Sequence, residues 1–421
     1  MPCKISLYYL IKIPKNHSPQ IKIIMDINLI QTLACISKTI DMINPKLNMH
    51  HVRTAFIAWH LAKEASFSPA SCRQTLLAAL LHDIGGLNEQ SRLAPLSYYD
   101  NDHNNHALIG GLLLAHIPLF KPLSDFVRYH HTCWDYGTGS VIDGEQVPEE
   151  SHIIYLADRI DVLLAQYRHQ DLFALRDMLT KKIQEGVNVL YKPEFIQAFT
   201  KIAARDGFWS VIQSSNYLDY IREIPRIHNN TISLHNFRDI MNLLAFIIDQ
   251  FSADDDCHSL AVGRLAGYLA KESGITPTQC LKTEIAGFLH NIGSLDRSSP
   301  HSPRHIWEIL QPIEGMSDIA EWCMLQSSSK EERASGPAEQ EILYVSHRTA
   351  LALEKRLSTH GLIADLKLAM RQNEISPAIF HLTNDHAAML MQIYQVTTRE
   401  RRALVQHIDK LNHALNREKH E

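Results

Sequence analysis

Two halves of this chain carry the same pattern, and that repeat limits the fold more than any single motif. Shifted by 208 positions, His50 falls on His258 and His82 on His290. Between those anchors LAKEASFSPASCRQTLLAALLHDIGGL lies over LAKESGITPTQCLKTEIAGFLHNIGSL without a gap. Pro69 meets Pro277, Cys72 meets Cys280 and Gly85 meets Gly293. Unrelated helical segments do not keep Cys, Pro and Gly in register, so the chain reads as a tandem duplication. The match resumes after shorter loops, with LSDFVRYHH from Leu123 over MSDIAEWCM from Met316, and IIYLADR from Ile153 over ILYVSHR from Ile342. A chain of 421 residues also exceeds what one ordinary core holds.

Within each copy the period is helical. Ile27, Ile30, Leu33, Ala34 and Ile40 recur at helical spacing, as do Leu76, Leu77, Leu80 and Leu81. Strand signals are scarce. The turn-rich WDYGTGSVIDGEQVP, Trp134 to Pro148, predicts a loop or small hairpin, and its counterpart SSSKEERASGPAEQ, from Ser327, a solvated loop. The expected fold is all-α, a tandem repeat of two helical bundle domains. We expect a tail over 1–26, a first domain over 27–225, a second over 226–390 and a C-terminal helix over 391–421. Pro225 and the His-Asn-Asn-Thr run that follows set the inner boundary. In the last helix Leu404, Ile408, Leu411 and Leu415 repeat at spacings of four, three and four. That spacing fits either a coiled-coil seam, making a homodimer through the C-terminal half or helix, or packing on its own domain.

Composition excludes several classes. A hydrophobic content of 45% is that of a globular protein. A net charge of -5 leaves no basic footprint for a nucleic-acid polymer. Seven cysteines include no CxxC, and Cys35, Cys72 and Cys280 fall in apolar helical patterns, as small buried hydrophobes in a reducing compartment do. The N-terminal apolar run ISLYYLI is cut by Lys12, Pro14 and Lys15, too short to span a bilayer and without a small-residue cleavage site. No membrane association and a cytoplasmic location are expected.

Chemistry-bearing residues gather in the first half. His82 and Asp83 end an apolar helix in LLAALLHDIGG, with His50 before them and His106, His130, His131 and Asp158 after. A carboxylate can bridge two cations through its two oxygens, while each neutral imidazole nitrogen ligates one. In order and spacing these residues resemble the HD-GYP branch of the HD-domain metal-dependent phosphohydrolases. His50 with Arg53 resembles the family's HSxR helix, HDIGG its HDIGK, and HALIGG from His106 its HPxIG segment. HHTCWDYGTG from His130 resembles HHExxDGxGYP, and IIYLADRID the segment ending in its last aspartate.

The resemblance implies two HD-type helical domains and two divalent transition-metal ions, Fe or Mn first. One ion would be held by His50, His82, Asp83 and Asp158, the other by Asp83, His106, His130 and His131. Asp135 and Asp161 would orient a ligating imidazole or Arg159. The implied activity is hydrolysis of a 3′,5′-cyclic dinucleotide to a linear one, cyclic di-GMP first and 3′,3′-cyclic GMP-AMP as the alternative. Asp83 is the central catalytic candidate, and Trp134 and Tyr136 are candidates to stack on a base.

Three departures from the family pattern bear on that expectation. The lysine of HDIGK is Gly86, so Arg92, or Arg168 in a QYR stretch resembling the family's PYR, must supply the cation if one is needed. GYP is absent, with Gly139 followed by Ser140 and Val141. Lys46 stands where trinuclear members carry Glu, which favours two metals over three. In the second half Asp83 becomes Asn291, His130 and His131 become Cys323 and Met324, and Asp158 becomes His347. His258 and His290 remain, with His301 and His305 near the place of His106. Lacking carboxylates, that half reads as a folded repeat without metal or chemistry. The rival reading for the whole chain is a sensor or scaffold that binds nucleotide without turnover.

Overall fold

The computed structural model describes residues 27–41, 47, 49–88, 104–214, 217–223, 230–251, 257–295, 303–324 and 336–418. Among the described residues it is all-α apart from two short strand pairs. Two compact units divide the chain: Leu29–Asn230, and Thr231 onward together with the strand Ile27–Asn28. In the second unit Ile27 pairs with Ile232, and Asn28 with Thr231, antiparallel.

The first unit is built around helices His50–Glu64, Pro69–Leu80 and Glu149–Gln166. Ser68 caps the second of these by accepting from the Ser71 N–H, and Pro69, whose missing N–H costs nothing at a first-turn position, starts it. The second unit repeats the device: Thr276 and Gln279 form a reciprocal capping box with Pro277 at the start of Pro277–Leu289. This explains why a proline holds register across the duplication. Helix Glu149–Gln166 is buried from Ser151 to Leu164 on every face, polar residues included. A helix that buries Asp158, Arg159 and Asp161 must pair them, since solitary buried charges are too costly.

The turn-rich loop contains the hairpin expected of it. Val141–Ile142 pairs with Glu145–Gln146 across Asp143 and Gly144, both at positive φ, as a tight two-residue hairpin turn requires. Cys35 and Cys72 are buried and Cys280 is half-buried. The final helix runs Ala387–Glu418 and packs on helix His258–Glu272 of its own unit. Leu404 and Ile408 are buried within one chain, as packing of this helix on its own domain requires. The side chain of Leu415 lies outside the described residues. No described helix is long and apolar enough to cross a membrane.

Candidate metal centre

The seven predicted ligands come from five places in the chain. His50 opens its helix, and Asp158 sits mid-way along helix Glu149–Gln166. His82 and Asp83 lie in the turn that closes helix Pro69–Leu80, His106 on helix Asn104–Ala115, and His130 and His131 just past helix Ser124–Arg128. All seven are buried. Gly85 sets the turn against the His106 helix: a Cβ there would stand 2.1 Å from the His106 carbonyl oxygen and 2.3 Å from the Gly110 nitrogen. Only glycine lets the two backbones approach that closely.

The ligand atoms form two clusters with Asp83 between them. Asp83 Oδ2 is 3.6 Å from His50 Nε2 and 3.4 Å from His82 Nε2. Asp158 Oδ1 completes that side at 3.4 Å from His50 Nε2. Asp83 Oδ1 faces the other way, 3.0 Å from His106 Nε2 and 3.6 Å from His130 Nε2. His131 Nε2 joins at 3.0 Å from His106 Nε2. Within each of the groups Asp83/His106/His130/His131 and His50/His82/Asp158, one ligand atom per residue lies within 4.8 Å of the others.

Neighbouring groups fix which atoms point inward. His82 Nδ1 donates to the Ala79 carbonyl at 2.8 Å and His130 Nδ1 to Val127 at 2.6 Å, which leaves each Nε2 lone pair for the cluster. His50 Nδ1 donates to Asp161 Oδ2 at 2.7 Å, and Arg53 holds the same carboxylate. Burial drives the His82 imidazole down to about 3, so it is neutral at pH 7. Burial opposes charge on Asp83, but the imidazoles of His82 and His106 outweigh it and hold the carboxyl well below its ordinary range. For Asp161 burial is likewise overcome, chiefly by Arg53, and its carboxyl falls to about 2. His50 runs the other way: burial lowers it, but the nearby carboxylates, Asp161 first, raise it well above 6.5.

These residues fit two cations. His50 Nε2, His82 Nε2, His130 Nε2, both Asp83 oxygens and Asp158 Oδ1 are buried without a hydrogen-bond partner. Orphaned buried polar atoms are rare unless something coordinates them, and here they converge as nitrogen and carboxylate donors of the kind that hold Fe, Mn or Zn.

Known proteins resemble this chain both in sequence and in fold. A family model described as "HD domain" matches residues 49–163, a span that contains all seven residues. The first unit carries an HD domain. A relative from Vibrio cholerae serotype O1, named 3′3′-cGAMP-specific phosphodiesterase 1, is 23% identical over 315 residues, 73% of this chain and 71% of its own. The crystal structure of a cyclic GMP-AMP-specific phosphodiesterase of V. cholerae, V-cGAP3, superposes with a TM-score of 0.55 at 15% identity. It covers 87% of this chain and 98% of its own length, a likeness of fold.

Around the HD domain's clusters the other predicted residues are distributed unevenly. Trp134 meets His152 edge-on at 5.4 Å, with Lys192 Nζ 5.3 Å from its ring, while Tyr136 is 75% exposed. Asp135 is exposed and accepts from Thr138 Oγ1 at 2.6 Å, so it shapes its own turn instead of orienting an imidazole. Arg168 is exposed, two residues past the end of helix Glu149–Gln166, and donates to His169. At ~1.5 Å of rise per residue the helix end before it, Gln166, already stands about 12 Å along the axis from Asp158. Arg92 and Lys46 lie outside the described residues. Two partners were harder to foresee. Arg159, fully buried, folds back on its neighbour Asp158, Nη2 to Oδ2 at 2.6 Å, and His51 pairs with Asp41 beneath the His82 ring. The signal for Arg159 was an arginine inside an apolar run, which is seldom buried unless paired.

Proposed function

We propose that the chain is a metal-dependent phosphodiesterase that hydrolyses a 3′,5′-cyclic dinucleotide to its linear form. The observation that carries this reading is Asp83, whose two oxygens address two separate His-rich clusters. His50, His82, Asp83 and Asp158 would hold one divalent ion, and Asp83, His106, His130 and His131 the other. Such a pair supplies Lewis acidity, making water acidic enough to attack at neutral pH and screening phosphoryl charge. The protein's part is to hold its donors in place: Asp161 fixes the His50 tautomer, Ala79 and Val127 carbonyls fix His82 and His130, and Arg159 fixes Asp158. Burial keeps competing water out of the ligand set.

For the bases, the relative named for 3′3′-cGAMP supports that hybrid ahead of cyclic di-GMP. Trp134 and Tyr136 are proposed to stack on a base, and Arg168 to meet a phosphate at the far side of the substrate. Full-length protein prepared without oxygen and loaded with Fe or Mn is to be incubated with each dinucleotide and the products separated by chromatography. A linear dinucleotide from either is expected. Loaded protein that hydrolyses neither would leave the nucleotide-sensing reading in its place.

A further inference from the structure

The second unit, read from sequence as metal-free, carries a compact cluster of its own. His258 opens helix His258–Glu272, His290 follows helix Pro277–Leu289, and His347 lies within helix Ala338–Glu354. Three nitrogens form a near-equilateral triangle. His258 Nε2 is 3.1 Å from His347 Nδ1 and 3.1 Å from His290 Nε2, and His347 Nδ1 is 3.3 Å from His290 Nε2.

Neutral imidazoles cannot satisfy this triangle with their own protons. His290 Nδ1 is 2.7 Å from the Gly287 carbonyl, which only accepts, so that nitrogen carries the hydrogen and Nε2 a lone pair. His258 Nδ1 is 2.6 Å from Glu354 Oε1, with the same consequence. Two lone pairs therefore meet at 3.1 Å. A single N–H on His347 bonds one well and leaves the other opposed.

We propose that His258, His290 and His347 hold a single divalent transition-metal ion, Zn²⁺ by its donor set. A tetrahedral zinc with Zn–N of about 2.0–2.1 Å separates its nitrogens by roughly 3.3 Å, the size of this triangle. Glu354 orients His258 as Asp161 orients His50 in the first unit. The three positions match His50, His82 and Asp158 through the repeat, so the duplication kept one cluster while changing its donors. With Asn291 in place of Asp83 there is no bridging carboxylate, and one ion is expected, not two. Three neutral imidazoles select a borderline transition metal over Mg²⁺ or Ca²⁺, and leave a fourth position for water or another ligand.

The test uses the full chain with both clusters of its first centre disabled by His82→Ala, Asp83→Ala, His106→Ala and His130→Ala. Titrated with Zn²⁺ and assayed by elemental analysis after desalting, this chain is expected to retain about one zinc; Co²⁺ in its place should give the intense visible bands of a tetrahedral site. Adding His347→Ala should remove both, with helical circular dichroism unchanged. Should that variant fail to fold, His347→Asp restores the residue type of the matching first-unit position, and its cobalt spectrum should shift as oxygen replaces nitrogen. No retained zinc in the first chain, unchanged zinc in a folded His347→Ala chain, or an unshifted cobalt spectrum in His347→Asp would each overturn the site.

Discussion

Asp161 illustrates how a residue outside the ligand set controls it. By accepting from His50 Nδ1 it commits the ring to offer Nε2, and Arg53 keeps its carboxylate charged. Asp161→Ala frees the tautomer and should weaken metal binding by about 10–100-fold, measured by competition with a chelator. Unchanged affinity would show that ring packing alone orients His50. Because the Asp161 and Asp83 carboxylates raise the metal-free His50 imidazole well above 6.5, against burial, a metal entering there must displace a proton. Affinity should therefore climb as pH rises from about 6 to about 8, by up to roughly tenfold per unit for one proton; a flat profile would contradict the coupling. Gly86 presents the opposite case, a missing group. Positive φ among the described glycines occurs at Gly137, Gly144, Gly274 and Gly315 and not at Gly86, so a side chain meets no left-handed strain there. If a cation beside the clusters matters as preorganised donors usually do, Gly86→Lys should raise turnover by as much as about 10². Arg168→Ala with metal retained should lower it if that arginine reaches the substrate; full activity in that variant would remove it from the reaction.

At the scale of elements, the helices and their register were legible because local chemistry writes them. Caps and prolines at Ser68–Pro69 and Thr276–Pro277 start matching helices, and the seven candidate ligands could be picked out in order because each sits at a helix end or on a buried face. What escaped were pairings that depend on how elements meet. Glu354 takes in the second unit the part Asp161 has in the first, yet the residue aligned with Asp161 is Ala350; the carboxylate has moved one helical turn along, and no alignment column reports that. His347 was read as a lost aspartate for the same reason, since its two imidazole partners come from other helices. The approach of the HDIGG turn to helix Asn104–Ala115 is another such meeting. Gly85→Ala would drive a methyl into the His106 carbonyl and Gly110 nitrogen. Overpacking of this kind costs about 1–3 kcal/mol, and it should displace His106 first. Thermal unfolding and metal content together check it. A variant with normal stability and two metals would mean the turn yields more easily than its backbone contacts imply.

For the molecule as a whole, the repeat has placed two different donor sets on one scaffold. The first unit kept the carboxylate that addresses two clusters, and its buried donors are costly to leave without a partner. A cation that binds only the folded state at a hundred times its Kd stabilises it by about 2.7 kcal/mol, so chelation should lower the unfolding temperature of this unit. Turnover should belong to that unit alone. In the second, Asn291 cannot bridge, and restoring the carboxylate would still not rebuild the other cluster. The counterpart of His130 is Cys323, buried, with its thiol turned to the Ala286 carbonyl at 3.4 Å and pushed well up by burial, both of which oppose a thiolate there. A chain carrying Asp83→Asn should thus lose cyclic dinucleotide hydrolysis, and adding Asn291→Asp should not bring it back, although the new carboxylate beside His290 is free to change the metal content of the second unit. Rates measured per chain, with metal counted in the same samples, separate these effects. Recovery of turnover in the double variant would mean that one cluster with a carboxylate is enough for the chemistry, and that the second cluster of the first unit serves some other end.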